Sequence, residues 1–198
     1  MTIRVEFLPT LVFAAVMTSW FAFGISFVAR KKLPGAPQSK RERASIVGIA
    51  LQGASYGIVW SVHRLFFSTI AALSKPLEIA LAVFTMVLAA GSVWFVTTAI
   101  RTLGKQWSIA ARLVEGHKLV TAGPYSVVRN PIYTGMFGLL LATGLAVSHW
   151  IGLLVGVIVY AVGTMIRVRS EEKLLRGAFG AEFDSYARDV PAVVPFLF

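Results

Sequence analysis

Five uninterrupted apolar runs constrain this chain more than any other feature. A bilayer core requires about 20 apolar residues of helix, and Phe7 to Ala29 meets that length with no charge inside it. Ala44 to Val62 forms a second run, with Gln52 its most polar member, and Leu77 to Ile100 a third, with Glu78 near enough to its end to reach the interface. Ile132 to Val147 and Ile151 to Ile166 are shorter, separated by Ser148-His149-Trp150, and read as a tight helical hairpin. Sixteen residues rise only about 24 Å as helix, short of a core of roughly 30 Å. The pair therefore borrows flanking residues, thins the bilayer or stops short of crossing it. The expected fold is an all-α integral membrane bundle of about five transmembrane helices. Residues 1–100 form a three-helix membrane part, and residues 101–198 carry the chemistry.

Composition supports this reading. The 198 residues are 57% hydrophobic and 14% charged, whereas a soluble domain carries about a quarter charged residues. Nineteen Lys and Arg stand against nine Asp and Glu. In a chain this apolar the excess points to membrane orientation before nucleic acid, and no nucleic-acid partner is expected. Sixteen of the basic residues, Arg30 to Arg43, Arg101 to Arg129 and Arg167 to Arg188, fall on one side of a five-span arrangement; Arg4, Arg64 and Lys75 fall on the other. The positive-inside bias makes the crowded side cytoplasmic. The stretch from His63 to Ser74 either extends the second span or lies on the opposite surface. The first run is too long for a signal-peptide core and lacks a basic lead-in, so it is expected to remain in the mature chain.

With no cysteine and only His63, His117 and His149, far apart, thiolate zinc sites, cysteine nucleophiles and clustered-histidine metal sites are excluded, and no metal is expected. Gly53-Ala54-Ser55-Tyr56-Gly57 spells the pattern of a hydrolase nucleophile elbow, but that elbow needs a strand-turn-helix. Here the glycines, like Gly152 and Gly156, read as close-packing positions between helices. No span carries a central Asp, Glu, Lys or Arg, which disfavours an ion or proton pathway.

Polar residues concentrate at the basic end. The connection from Arg101 to Arg129 is long for a linker. Gly104, Gly116, Gly123 and Pro124 break any continuous helix, and Pro131 stands where the next helix begins. The start of that helix offers N–H groups to an anionic or amphoteric ligand, with Trp107, Tyr125 and Tyr133 as flat surfaces. The same letters also suit a simple re-entry turn with interfacial tyrosines. After the last run, Arg167 and Glu171 are i,i+4 neighbours on a helix. They form a plain salt bridge, or each meets a ligand, Arg167 gripping a carboxylate and Glu171 accepting from an ammonium or a ribose hydroxyl. Leu175, Phe179, Phe183 and Tyr186 continue at three- and four-residue steps as an amphipathic helix on the membrane or over the bundle.

His117-Lys118-Leu119-Val120-Thr121-Ala122-Gly123-Pro124-Tyr125, followed by Val128-Arg129-Asn130-Pro131-Ile132-Tyr133-Thr134-Gly135, resembles the central signature of the isoprenylcysteine carboxyl methyltransferases. Arg167 to Glu172, Phe179-Gly180 and Val190-Pro191 through Pro195-Phe196 resemble the same family's C-terminal signature. The resemblance covers roughly Leu103 to Phe198. It implies a membrane enzyme that takes a methyl group from S-adenosyl-L-methionine, held in a cytosolic pocket built from the 101–131 connection and the C-terminal helix. The implied acceptor is lipophilic or prenylated, reaches the site from the surrounding lipids, and is methylated on a carboxylate. Carried over residue by residue, His117, Lys118, Leu119, Val120, Tyr125, Asn130, Pro131, Ile132 and Tyr133 line the cofactor and Glu171 holds its polar end. Arg167 orients the acceptor as a catalytic residue. From their place in the loop, Arg129 joins the catalytic set and Trp107 the acceptor site. One departure stands out: the family's turn reads Arg-His-Pro, and here it is Arg129-Asn130-Pro131. Asn-Pro at this place resembles the related phospholipid N-methyltransferases, which keeps an amine acceptor open. The C-terminal region also resembles membrane sterol reductases, which use NADPH, and a non-enzymatic lipid-binding or partner-binding bundle remains the alternative outside enzymology.

Overall fold

The computed structural model describes residues 7–28, 43–64, 74–104 and 118–194. These form six α-helices and one short 3-10 turn: α1 (Phe7–Val28), α2 (Arg43–Ser61), α3 (Lys75–Leu103), the turn Gly123–Ser126, α4 (Pro131–Val147), α5 (Trp150–Phe179) and α6 (Ala181–Asp189). The protein is an all-α membrane bundle. Helices α1, α3 and α5 are each long and apolar enough to cross a bilayer, and α4 is a shorter apolar helix. The expected hairpin is α4 and α5: α5 runs thirteen residues past Ile166, whereas α4 remains short at 17 residues. At about 1.5 Å per residue the 30 residues of α5 rise about 45 Å, which carries the segment from Arg167 onward out of the core.

Helix α4 is the centre, touching α1, α2, α3 and α5, while α2 packs along α5 and α1 along α3. Adjacent residues of α4 serve opposite neighbours. Leu139 joins Val12, Val16, Ala82 and Ala89 of α1 and α3; Leu140 joins Val59 of α2 and Tyr160 of α5. Lipid tails are as apolar as leucine, so these contacts rest on close packing and interhelical hydrogen bonds rather than on expulsion of water. Glycine supplies the close packing. A Cβ on Gly135 would lie 2.9 Å from the Ser92 carbonyl oxygen, and one on Gly163 would lie 2.9 Å from Leu51 Cβ and 3.0 Å from the Gly48 carbonyl oxygen. Trp20 Nε1 donates to Thr143 Oγ1 at 3.0 Å, and Ser26 and Thr97 share a 2.8 Å hydroxyl bond.

The two glycine pairs singled out in the sequence behave differently. Gly152 and Gly156 seat Val62, just past the end of α2, and Val59 of α2, as expected. Gly53 and Gly57 meet nothing within 4 Å. They lie on the face of α2 opposite Gln52, Ser55 and Val59, so here the spacing does not mark an internal seam.

At the end opposite the site, the chain leaves α2 and pairs briefly with the α4–α5 turn. His149 N donates to Val62 O at 2.8 Å, and Arg64 N to Val147 O at 3.1 Å. The Arg64 guanidinium then caps α4, donating to the carbonyls of Leu145, Ala146 and Ser148 at 2.7–2.8 Å. A cation at a helix C-terminus satisfies orphan carbonyls and the partial negative charge there. The stretch from His63 therefore opens as an extended cap rather than as more of α2, and residues 65–73 lie outside the described residues.

Gly163→Val places a branched side chain against backbone that cannot yield, and should lower stability by about 1–3 kcal/mol. Gly53→Ala, with open space around it, should leave the melting temperature unchanged or raise it. Thermal melts of both variants in one detergent check this; equal melting points would contradict the packing assigned to α2 and α5.

Candidate functional site

The basic end of the bundle is assembled by three elements: the turn leading into α4, the last turns of α5, and α6 with the strap behind it. Gly180, at φ +52°, breaks the helix that the sequence reading ran continuously from Leu175 to Tyr186. The break lets α6 fold back so that Phe183 is fully buried and the Tyr186 hydroxyl donates to Tyr125 O at 2.6 Å. Asn130 precedes α4 and Pro131 opens it, where a residue without an N–H costs the helix nothing.

Arg129 holds these elements together. Its Nε and Nη2 both reach Glu172 Oε1 at 2.9 Å, and Nη1 donates to the carbonyls of Ala187 and Val190. The backbone N–H groups of Arg129 and Asn130 donate to Pro191 O and Ala192 O at 2.8 and 2.9 Å. Asn130 Nδ2 also donates to Ala192 O, and Thr134 Oγ1 to Val193 O. The backbone donors of Arg129 and Asn130, just ahead of α4, are thus engaged by the protein's own strap, while the first-turn N–H groups of Tyr133 and Thr134 donate to Asn130 O.

One turn away lies a second cluster. Arg167, 7% exposed, donates from Nη2 to Glu171 Oε1 at 3.2 Å and from Nη1 to Gln52 Oε1 at 3.3 Å. The Tyr133 hydroxyl donates to the same Glu171 oxygen, and the Arg167 guanidinium lies 4.8 Å from the Tyr133 ring centroid. Tyr160 braces Tyr133 from below, donating to its carbonyl at 2.7 Å. The Arg167–Glu171 salt bridge exists, yet Glu171 keeps 23% of its side chain accessible. Its carboxylate is ordered by two donors, and the side chain as a whole is partly exposed.

The neighbouring acids of α5 are therefore divided, Glu172 to Arg129 and Glu171 to Arg167 and Tyr133. Tyr125 is buried beside them. Burial pushes its hydroxyl well above the ordinary tyrosine range, and Tyr186 and Glu171 add to the shift. Burial likewise pushes Tyr186 up to about 12, with Arg129 opposing and Glu172 adding.

Of the residues selected from sequence, Tyr125, Arg129, Asn130, Pro131, Tyr133, Arg167 and Glu171 come together at this end, with Ile132 on the first turn of α4. Leu119 and Val120 are half-buried and Lys118 exposed in the irregular segment before the Gly123 turn. Trp107 and His117 lie outside the described residues. Gln52, Thr164 and Tyr160 were not selected. The available signal was a polar amide within an apolar span, facing the helix that carries the site.

Residues 80–182 match the Phospholipid methyltransferase family model, just over half of the chain. Protein-S-isoprenylcysteine O-methyltransferase B of Arabidopsis thaliana is 34% identical over 102 residues, 50% of this chain and 52% of that one. Cobalt-zinc-cadmium resistance protein CzcN of Cupriavidus metallidurans is 36% identical over 107 residues, 50% and 46% of the two chains. Methanethiol S-methyltransferase of Crocosphaera subtropica is 32% identical over 81 residues, 40% and 30%. The chain spans about half the length of the first two of these relatives.

Two outcomes follow from the geometry. Arg129→Ala should cost about 2–4 kcal/mol, as expected for loss of several hydrogen bonds from a charged group, and should raise hydrogen exchange across residues 181–194; unchanged exchange there would contradict the clamp. Both tyrosines keep their proton in the folded chain above pH 10, where an unfolded tyrosine loses it, so the folded state binds more protons. Stability should therefore fall as pH rises from about 10 to about 12, and Tyr186→Phe should flatten that slope in melts at stepped pH. An identical slope in the variant would contradict the environment assigned to Tyr186.

Proposed function

The chain belongs to the phospholipid methyltransferase family, and on that premise we propose that it is an S-adenosyl-L-methionine-dependent methyltransferase. It works at the membrane surface on a lipophilic or prenylated acceptor, by carboxyl O-methylation. The observation that carries this reading is the partly exposed Glu171, its carboxylate ordered by Tyr133 and Arg167 beside the Tyr125 turn.

The residues present fit such a nucleoside. Glu171 is an acceptor for an ammonium or a ribose hydroxyl. Tyr125, Asn130, Pro131, Ile132 and Tyr133, with Lys118 to Val120, supply the apolar walls, flat rings and backbone groups that an adenosyl moiety needs. When bound, the cofactor supplies a methyl group already activated on a positively charged sulfur. The chain's own task is to align the acceptor and exclude water. Arg167 presents a planar cation to an acceptor carboxylate. That carboxylate is ionised at neutral pH and needs no general base. An amine acceptor has to shed a proton, and Glu172, the adjacent acid, is engaged by Arg129; this favours the carboxylate. Arg129 acts in this reading by fixing α6 and the strap rather than by touching substrate. The described basic residues of this end, from Arg101 to Arg188, lie opposite Arg64 and Lys75, which supports an active face toward the cytoplasm.

Isothermal calorimetry with S-adenosylhomocysteine tests the reading. Wild type should bind one equivalent, and Glu171→Gln should weaken binding about tenfold or more, the loss expected for a charged hydrogen-bond partner. Arg167→Lys keeps the charge and loses the fork. It should retain binding and lose most of the methyl transfer to a prenylated carboxylate. Absence of saturable binding by folded wild type would defeat the proposal.

A further inference from the structure

Helix α2 lies outside the segment matched by the family model, yet it reaches into the site. Gly48 and Gln52 stand one turn apart on the face of α2 that packs against α5. A Cβ on Gly48 would collide with Arg167 Cγ, so the missing side chain makes the groove in which the Arg167 stem runs. Gln52, 2% exposed, then meets the head of that side chain. Its amide is oriented by two bonds at once, Nε2 donating to Thr164 Oγ1 at 2.9 Å and Oε1 accepting from Arg167 Nη1 at 3.3 Å. Arg167 is thereby held at both terminal nitrogens, Nη1 by α2 and Nη2 by Glu171 of its own helix, with its plane against Tyr133.

We infer that Gln52 is a positioning residue for the proposed methyl transfer: its amide fixes the plane and direction of the Arg167 guanidinium. The inference rests on the methyltransferase reading above. An arginine tied only to Glu171, four residues along the same helix, can swing about its long stem. A neutral tether from a second helix removes that freedom without adding a charge to compete with Glu171 or with an acceptor carboxylate. A carboxylate at this place would pair with the guanidinium, whereas an amide orients it without adding a second negative charge to that of Glu171. Gln52 thus acts through Arg167 and is not itself expected to touch the acceptor.

The test compares wild type, Gln52→Met and Gln52→Glu, all full-length in detergent, with radiolabelled S-adenosyl-L-methionine and S-farnesylcysteine as acceptor probe. Methionine keeps the length and removes both hydrogen bonds; glutamate keeps an acceptor oxygen toward Arg167. Gln52→Met should lower kcat about ten- to a hundredfold, the scale of a misdirected group, with little change in acceptor KM. Its affinity for S-adenosylhomocysteine should stay near wild type, while its melting temperature falls modestly because a buried guanidinium loses one of its partners. Gln52→Glu, whose added charge competes with an acceptor carboxylate for the guanidinium, should not restore the lost kcat and should raise the acceptor KM. Loss of S-adenosylhomocysteine affinity in step with kcat would overturn the inference in favour of a packing role, as would a Gln52→Met enzyme with wild-type kcat. If wild type binds S-adenosylhomocysteine but leaves the probe unlabelled, the carboxylate acceptor and the role of Gln52 fall together. If it binds none, the methyltransferase reading itself falls.

Discussion

A buried arginine at the edge of a hydrocarbon slab is the constraint around which this structure is arranged. A charge there is costly unless it is paired and its donors are satisfied. Arg167 is paired there with a carboxylate, an amide and an aromatic face drawn from three helices, through its terminal nitrogens and its plane, while its buried Nε makes no hydrogen bond among the described residues. The partners have to arrive together, because removing one leaves a charge in a poor solvent. That requirement fixes the rotation of α5 about its axis, the depth of α2 against it, and the direction in which Tyr133 leaves α4. The site is thus an outcome of how the bundle satisfies its own charge, and its openness is confined to the side where Glu171 remains accessible.

The approach of the helices follows from the same place. Gly48 and Gly163 bring the α2 and α5 backbones close enough for a glutamine to reach an arginine across the seam. Gly135 and Gly138 do the same between α4 and α3, so that α4 can stand in the middle of the bundle with its tyrosine turned toward α5. A second clamp, Arg129 on Glu172 and the carbonyls of α6, brings the C-terminal strap against the Asn130-Pro131 turn. The two arginines divide the labour: one orders the Glu171 carboxylate, the other closes the fold around it.

The helices were legible because their apolar runs match the bilayer's thickness, and the basic end because charge is sorted by side. The Arg167–Glu171 pair was legible from i,i+4 spacing on a helix. Four things were not. The break at Gly180 was hidden by apolar residues whose spacing runs unbroken through it, and a left-handed glycine leaves no mark in such a pattern. The idle Gly53 and Gly57, and the seam at Gly48 and Gly163, show that the glycine motif alone does not say which face meets a neighbour. Gln52 was visible only as a polar residue in a span, since its partner is 115 residues away and no local rule reaches that far. The Arg129 turn looked like a ligand loop because its donors are countable in sequence, while the strap that engages them is brought there by tertiary folding.

The central claim is that the turn before α4 and the end of α5 form one cradle for a charged nucleoside. Hydrogen-exchange mass spectrometry of the detergent-solubilised protein, with and without saturating S-adenosylhomocysteine, tests it most directly. The account predicts protection concentrated in residues 118–134 and 167–172, with the Arg64 cap at the far end unchanged. Protection elsewhere, or none in these two segments while the ligand is bound, would contradict it.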